Sequence, residues 1–332
     1  MQNDENQYVE QHYIKDVTMW NDLCFSLKIT VPICIILGLG IYLKRINLIN
    51  NEFARVGSAL VFNVALPCLL FVKLSKVDFT HELPLLLVGY AALATVVVFV
   101  GLELICGLII KENFSRGVFV QGAFRSNMTI TGLAFCISAF GEPIIGVSSI
   151  YISVMTIMFN VLSIITLVRH SVSNNRVCFT ILFLEVIKNP IIISIVLSVI
   201  ISTMNVQIPV IIMRAGEYFA DMTLPLALVC SGASIRMNDI SSFSQLYLAS
   251  IMKLVFVPLI ITSGGIVIGL RNEQLGILYL MCSSSTAVVS YPMAQAMKGN
   301  HYMAAAIVAI TSIGAMISTT IGIFLLRLFN LI

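Results

Sequence analysis

The chain has 332 residues, of which 58% are hydrophobic and only 11% are charged, with a formal net charge of +3. A soluble domain carries about 25% charged residues, so this composition leaves too little polar surface for a globule in water. No basic run or basic–aromatic patch occurs, which argues against a nucleic-acid partner. The composition is that of an integral membrane protein in a lipid bilayer.

The first 22 residues differ from the rest of the chain. They carry five carboxylates against a single lysine, Lys15. A secretory signal begins with a basic segment and continues into a cleavable apolar run. The acidic pattern therefore predicts an uncleaved polar tail over 1–22, in the form of an amphipathic or disordered arm.

Ten apolar stretches follow, most of them long enough to cross a ~30 Å hydrocarbon core as helices. They cover 23–43, 55–74, 83–110, 117–139, 143–168, 190–205, 208–235, 246–270, 274–297 and 301–329. A shorter apolar stretch, 177–188, is predicted to lie along the interface. The odd-numbered loops carry most of the lysine and arginine residues, a bias that places both termini outside the cell membrane. Labelling of residue 2 from the cytoplasm alone would contradict this topology.

The second half of the chain repeats the first at a constant offset. Pro67 and Pro225, both predicted helix breaks, are 158 residues apart, and three further residue pairs share this offset. The repeated unit holds five spans, an odd number, so its two copies must face opposite ways in the bilayer. The sequence predicts an all-α integral membrane protein with ten transmembrane helices in two inverted five-helix repeats, 23–169 and 177–329. This arrangement is typical of secondary transporters.

Polar residues concentrate in the fourth and ninth spans, at positions that the repeat relates. The fourth span contains Arg125-Ser-Asn-Met-Thr-Ile-Thr-Gly132, and the ninth contains Ser283-Ser-Ser-Thr-Ala-Val-Val-Ser-Tyr-Pro292. Proline removes a backbone donor and clashes with the preceding turn, so these spans are predicted to break at Pro292 and at Gly132. Interrupted helices expose backbone groups that can bind a ligand. The alternative is ordinary Ser and Thr packing between helices.

Arg125 falls well inside the fourth span, where an arginine costs about 2.5–3.5 kcal/mol on insertion scales. A guanidinium offers a planar, bidentate clamp for a carboxylate, which points to an anionic substrate. The alternatives are an ion pair with Glu103 or Asp221, or extension of the side chain to water.

Further ionisable and polar residues are candidates for the site or for ion coupling. Asn63 and Asp221 are related by the repeat, each four residues before a proline. Asp221, Glu103 and Lys253 are candidates for binding or coupling an ion. Lys253 can also bind an anion or pair with a carboxylate. For Asp221, the alternative is a place at the exposed entry to the seventh span.

Cysteines and histidines form no metal-binding pattern along the chain. The eight cysteines are scattered through apolar segments without C-x-x-C spacing, which predicts buried, inert thiols. His170 and His301 fall at span ends, outside any apparent ligand cluster, and no nucleotide-binding loop occurs. The sequence predicts no metal, no cofactor and no enzymatic activity, and leaves sodium or proton coupling open.

Several motifs together resemble the auxin efflux carrier family. They are Leu60-Val-Phe-Asn-Val-Ala-Leu-Pro-Cys-Leu-Leu-Phe, Ser126-Asn-Met-Thr-Ile-Thr-Gly-Leu, Lys188-Asn-Pro, Leu224-Pro-Leu-Ala-Leu-Val-Cys-Ser-Gly-Ala-Ser and Lys253-Leu-Val-Phe-Val-Pro. The likeness runs through the chain after residue 23 and depends on the order and spacing of these motifs. The short connection between the halves resembles microbial members more than plant ones.

This resemblance implies a ten-helix fold shared with bile-acid/sodium symporters. It implies a scaffold domain of spans 1, 2, 6 and 7, which often dimerises, and a transport domain of spans 3–5 and 8–10 with two crossed, broken helices. It also implies transport of organic anions such as auxin, malonate, malate or lactate. The implied site residues are Ser126, Asn127, Gly132, Thr286, Tyr291 and Pro292, with Asn63, Pro67 and Pro225 from the scaffold. Relatives often have a proline where this chain has Ala134.

The sequence favours a secondary carrier of small organic anions that works by an elevator-like shift of the transport domain. One alternative is a receptor-like membrane protein that keeps the fold without transport, suggested by Ala134 and the acidic tail. The other is a sodium- or proton-coupled exchanger that uses Asp221 and Glu103.

Overall fold

The computed structural model describes residues 2–75, 84–170, 190–204, 206, 208–234 and 243–332. This part of the chain is all-helical, without a named strand. We number its helices α1 (Gln2–Arg45), α2 (Asn51–Leu74), α3 (Leu85–Ile109), α4 (Asn113–Phe124), α5 (Met128–Phe140), α6 (Glu142–Arg169), α7 (Pro190–Thr203), α8 (Val210–Ser234), α9 (Ser244–Val267), α10 (Asn272–Ser283), α11 (Ser290–Ala296) and α12 (His301–Leu328). The predicted interfacial stretch 177–188 lies outside the described residues.

Six of the described helices are long and apolar enough to cross a membrane. They are α1, α2, α3, α6, α9 and α12, and in α1 the crossing portion is Asn21–Arg45. These helices match the predicted spans one, two, three, five, eight and ten. The remaining predicted spans correspond to α7, which has 14 residues, to the more polar α8, and to the helix pairs α4–α5 and α10–α11.

The acidic N-terminal segment continues the first helix. Because α1 begins at Gln2, the tail predicted over 1–22 is not a separate disordered arm. Near its end, Asp22 accepts a hydrogen bond from Arg327 Nε at 2.8 Å, and this ion pair links α1 to the end of α12. At the other end of α1, Lys44 and Arg45 lie in the last turn, where the helix dipole favours cations.

An apolar stripe on α3 faces outward. Leu93, Val97, Leu104 and Leu108 are 65%, 61%, 74% and 89% exposed, at spacings of four and seven that place them on one side of the helix. Exposure to water would forfeit roughly 1.5–3 kcal/mol for each such side chain. In a bilayer that cost disappears, so the stripe marks a lipid-facing surface.

The helices pack in two sets. In the first, α1 packs along α8, and α2 packs against both α7 and α8. The contact of α1 with α8 is close, because a Cβ added at Gly232 would lie 2.1 Å from the Leu37 carbonyl oxygen. In the second set, α4 packs against α3 and α6, and α9 packs against α10 and α12. The contact of α1 with α12 connects the two sets.

The prolines of α2 and α8 do not break their helices. The chain passes Pro67 through the wider π-helical turn Val61–Ala65 directly before it, and Pro225 lies inside a continuous α8. The breaks predicted at these two prolines are therefore wrong. A π turn absorbs the missing donor and the steric clash locally, so a proline can remain within a membrane helix. A second π-helical turn, Met252–Phe256, precedes Pro258 in α9.

Candidate functional site

Two pairs of helices are each separated by a short non-helical segment. α4 ends before Arg125, whose backbone is extended with ψ 122°, and α5 begins at Met128. α10 ends before Ser284, which is extended with ψ 155°, and α11 begins at Ser290. The fourth and ninth predicted spans are thus both interrupted. We call the two segments, 125–127 and 284–289, the crossing.

The interruptions come earlier in the chain than Gly132 and Pro292, the residues predicted to cause them. Pro292 is the third residue of α11, where a backbone N–H has no acceptor within the helix, so proline starts this helix at little cost. Gly132 lies in the first turns of α5, where a Cβ would sit 3.0 Å from Met281 Sδ and 3.4 Å from Met281 Cα. Gly132 therefore permits the close approach of α5 to α10 and does not open the gap.

The two segments of the crossing hydrogen-bond to each other. The Asn127 N–H donates to the Ser285 carbonyl at 2.7 Å, and Ser126 forms an antiparallel bridge with Thr286. Thr286 Oγ1 donates to the Gly122 carbonyl at 2.7 Å. Backbone groups buried in a membrane need partners inside the protein. Each gap supplies partners for the other, which explains how both helices can be open at this point.

Lys253 of α9 brings a buried cation to the crossing. The residue is 0% exposed, and its Nζ donates to the Cys282 carbonyl at 2.8 Å and to Ser126 Oγ. Cys282 lies in the last turn of α10, where the helix dipole carries partial negative charge. Lys253 therefore ties α9 to both interrupted helices. Among the three ion candidates, it is the one that contacts the crossing in the described structure.

Arg125, the first residue of the crossing, reaches α6 and α11. Its Nη2 donates to Asn160 Oδ1 at 2.7 Å, and its Nη1 donates to Ser163 Oγ at 3.0 Å and to Met293 Sδ at 2.9 Å. Only 6% of the residue is exposed. Sequence reasoning missed Asn160 and Ser163, although two polar residues three apart in an apolar helix share one face and indicate a buried polar contact.

A cavity of about 200 Å³ adjoins the Arg125 side chain. Four predicted site residues line it together: Asn63, Arg125, Ser126 and Asn127. Asn63 reaches it from α2, where its Nδ2 also donates to the Ala59 carbonyl at 2.8 Å. The cavity combines a guanidinium with hydroxyl and amide groups, a set of groups that suits a small carboxylate.

A second cavity of about 600 Å³ lies beside the first. Tyr291 lines it, and the cavity extends to Arg55 near the start of α2. Phe62 and Val289 line both cavities, so the two spaces are neighbours. The predicted site residues are thus divided, with Tyr291 in the larger cavity and the Arg125 group in the smaller one.

Asp221 and Glu103 occupy other parts of the fold. Asp221 is exposed on α8. Glu103 lies near the end of α3, with Oε2 at 3.4 Å from Arg169 Nη1 and 3.1 Å from His170 Nε2. Cys106 Sγ is also 3.9 Å from His170 Nε2. The fold thus brings His170 beside Glu103 and Cys106, which are distant from it in the sequence. That His170 lies outside any ligand cluster stays a prediction.

Comparison with known proteins identifies the family of the chain. The model of a family described as membrane transport protein matches residues 25–323, a range that includes both interrupted helices. No curated protein matches the chain. The matched family is the one that the sequence motifs resemble. The chain therefore belongs to the membrane transport protein family, also known as the auxin efflux carrier family.

Proposed function

We propose that this membrane transporter is a secondary carrier of small organic anions, with carboxylates as its substrate class. The observation that carries the proposal is the position of Arg125, at the crossing of two interrupted helices and beside a cavity of about 200 Å³. A guanidinium presents paired N–H donors in one plane, which match the two oxygens of a carboxylate. Ser126 and Asn127 add neutral donors in the same cavity.

The charges around the crossing favour an anion over a cation. Lys253 and Arg125 place two positive side chains beside Ser126, one bonded to its hydroxyl and the other preceding it in the chain. At the low effective dielectric of a protein interior, such charges attract an anion by several kcal/mol at ~4 Å and repel a cation equally. A cation-exchange mechanism centred on Asp221 and Glu103 gains no support, because neither residue lines this cavity.

We further propose that α4 with α5, and α10 with α11, each span the bilayer as one interrupted helix. The chain then makes ten crossings in two inverted five-helix repeats. The packing of α1, α2, α7 and α8 on one another supports a scaffold domain made from these four helices. The remaining helices carry the crossing and form the transport domain. Its shift against the scaffold would move the Arg125 site across the membrane.

The larger cavity supports this elevator movement. Its lining comes from α2 and α8 of the scaffold and from α11 and α12 of the transport domain, so it follows the boundary along which the two would slide. Phe62 on the scaffold and Val289 on the transport domain line both this cavity and the Arg125 cavity. The substrate would therefore enter from the larger cavity and pass between these two side chains.

Uptake into proteoliposomes tests the proposed function. A panel of radiolabelled monocarboxylates, dicarboxylates and indole acids is offered to the reconstituted chain, with matched amines as controls. We expect saturable uptake of at least one anion class and none of the amines. Repeating the assay with and without sodium, and with an imposed pH gradient, identifies the coupling ion. Saturable binding of an anion without flux would favour the receptor-like alternative.

We also propose that the scaffold domain forms a homodimer, in which a second copy of the chain covers the exposed face of α8. Asp221 is exposed on this helix, together with Tyr218, which is 71% exposed. An aspartate facing lipid near the bilayer centre costs roughly 2.5–3.5 kcal/mol, which favours a protein contact there. Cysteine placed at position 218 should cross-link into dimers in native membranes. Cross-linking no stronger than from position 108, on the lipid-facing stripe of α3, would contradict this arrangement.

A further inference from the structure

Three potential metal ligands meet near the ends of α3 and α6, apart from the crossing. Glu103, Cys106 and His170 each point one ligand atom into a space where all three atoms lie within 4.8 Å of one another. The side chain of Glu103 is 5% exposed, Cys106 is 1% exposed and His170 is 9% exposed. A carboxylate, a thiol and an imidazole are thus held together in a protected pocket that the proposed transport function does not use.

The distances from His170 Nε2 to the other two ligand atoms are close to those of a tetrahedral zinc site. Zn²⁺ binds His nitrogen and carboxylate oxygen at about 2.0–2.2 Å and Cys sulfur at about 2.3 Å, which gives edges of roughly 3.3–3.6 Å between neighbouring ligand atoms. His170 Nε2 lies 3.1 Å from Glu103 Oε2 and 3.9 Å from Cys106 Sγ. Small side-chain adjustments would bring both distances to those values.

The surrounding hydrogen bonds orient the ligands. His170 Nδ1 lies 3.2 Å from Asn113 Oδ1, and the same oxygen accepts a hydrogen bond from Arg116 Nη1 at 3.4 Å. With its proton on Nδ1, the imidazole presents the Nε2 lone pair to Glu103 and Cys106. Thr166 Oγ1 donates to Glu103 Oε1, which leaves Oε2 directed at the imidazole. Such outer partners are what a metal-binding histidine and carboxylate need.

We propose that Glu103, Cys106 and His170 form a binding site for Zn²⁺ or a chemically similar divalent transition-metal ion. A ligand set of nitrogen, sulfur and oxygen suits such an ion and does not suit Mg²⁺ or Ca²⁺, which prefer oxygen alone. On binding, the Cys106 thiol releases its proton to solvent and its sulfur coordinates the ion. Arg169, whose side chain is 67% exposed, turns away from Glu103 into solvent. Water fills the fourth position.

Metal binding at this place would connect α3 directly to the end of α6. Glu103 and Cys106 belong to α3, His170 follows α6, and Asn113 begins α4, the helix that ends at the crossing. The ion would therefore fasten α3 to the end of α6, and the contact between His170 and Asn113 would extend this connection to α4. The expected consequence is a higher melting midpoint of the loaded chain, independent of any transported substrate.

Metal titration of the purified full-length chain in nanodiscs tests the site. With Zn²⁺ and a competing chelating indicator, we expect one equivalent of tight binding, weakened at least tenfold by Cys106→Ser and by His170→Gln. Co²⁺ should give a thiolate-to-metal charge-transfer band that Cys106→Ser removes. The matched controls Cys136→Ser and His301→Gln should bind the ion as the unaltered chain does. Unchanged affinity in both ligand variants, or Co²⁺ bound without that band, would overturn the proposal.

A variant that is expected to bind Zn²⁺ more tightly provides a second test, because misfolding cannot produce tighter binding. Arg169 is the cation that now pairs with Glu103, so Arg169→Gln removes a competitor for the carboxylate. We expect this variant to bind Zn²⁺ several times more tightly than the unaltered chain and to show a larger Zn²⁺-dependent rise in melting midpoint. Affinity that stays the same or falls would mean that the three residues form an ion-pair cluster without metal binding. Neither readout depends on anion uptake, so this proposal and the proposed function can fail separately.

Discussion

Replacement of Arg125 by alanine is expected to lower anion uptake by about 100-fold or more. In the proposed bound state the guanidinium donates two charge-assisted hydrogen bonds to the carboxylate, each worth about 1.5–3 kcal/mol. Loss of both corresponds to at least a hundredfold in affinity, at about 1.4 kcal/mol for each factor of ten. Initial rates in proteoliposomes over a range of substrate concentrations measure this effect.

Two further variants test whether uptake depends on the paired hydrogen bonds of the Arg125 guanidinium, on its charge alone, or on the loss of any arginine. Arg125→Lys keeps the charge but cannot donate two parallel hydrogen bonds, so uptake should stay well below that of the unaltered chain. Arg271→Ala, at a helix connection where Arg271 donates to the Ile266 carbonyl at 2.9 Å, should leave uptake nearly unchanged. Uptake by Arg125→Ala at the rate of the control would remove Arg125 from the substrate site.

Hydropathy predicted the uninterrupted helices well, because a membrane imposes a length and a composition on them. The predicted span 83–110, for example, is the helix Leu85–Ile109. For residues 1–22 the sequence left an amphipathic and a disordered arm open, and the structure has this segment in the same helix as the first span, because α1 begins at Gln2. The family resemblance was confirmed by the match over residues 25–323.

The positions of the breaks followed less directly from the sequence. Proline was expected to open span nine, yet Pro292 follows the gap as the third residue of α11. Backbone partners of the gap come from other parts of the chain: the Ser285 carbonyl accepts from the Asn127 N–H. These partners lie more than 150 residues apart. The rule that proline and glycine interrupt helices could therefore predict that the helix is interrupted, but not at which residues.

Contacts between distant residues were the least predictable part of the site. Arg125 was recognised from its cost in a membrane, but its partners Asn160 and Ser163 lie on another helix. Glu103 and His170 are 67 residues apart and show no ligand spacing, yet their side chains are 3.1 Å apart in the fold. Spacing rules detect candidate ligands that share one element, whereas Glu103 belongs to α3 and His170 follows α6.

Replacement of Lys253 by methionine should both destabilise the protein and stop transport. Methionine keeps an apolar stem of similar length but removes the ammonium group. The Cys282 carbonyl then loses the hydrogen bond that it receives at 2.8 Å, and Ser126 Oγ loses its cationic donor. The carbonyl keeps only the hydrogen bond from Ser126 Oγ at 3.3 Å. Because a hydrogen bond to a charged group contributes about 1.5–3 kcal/mol, we expect a lower melting midpoint and uptake near background. Lys28→Met, at an exposed position on α1, is the matched control and should change neither quantity.

A double-mutant cycle of Lys253 and Ser126 shows whether Lys253 stabilises the protein through its hydrogen bond to Ser126 Oγ or only through its positive charge. Ser126 Oγ contacts Lys253 Nζ and donates to the Cys282 carbonyl at 3.3 Å, so the three groups form one closed cluster. Residues in such direct contact show interaction energies of roughly 0.5–3 kcal/mol. The stability losses of Ser126→Ala and Lys253→Met should therefore not add in the double variant. If they add, Lys253 acts through its charge alone, and the crossing is held by its backbone hydrogen bonds without the lysine.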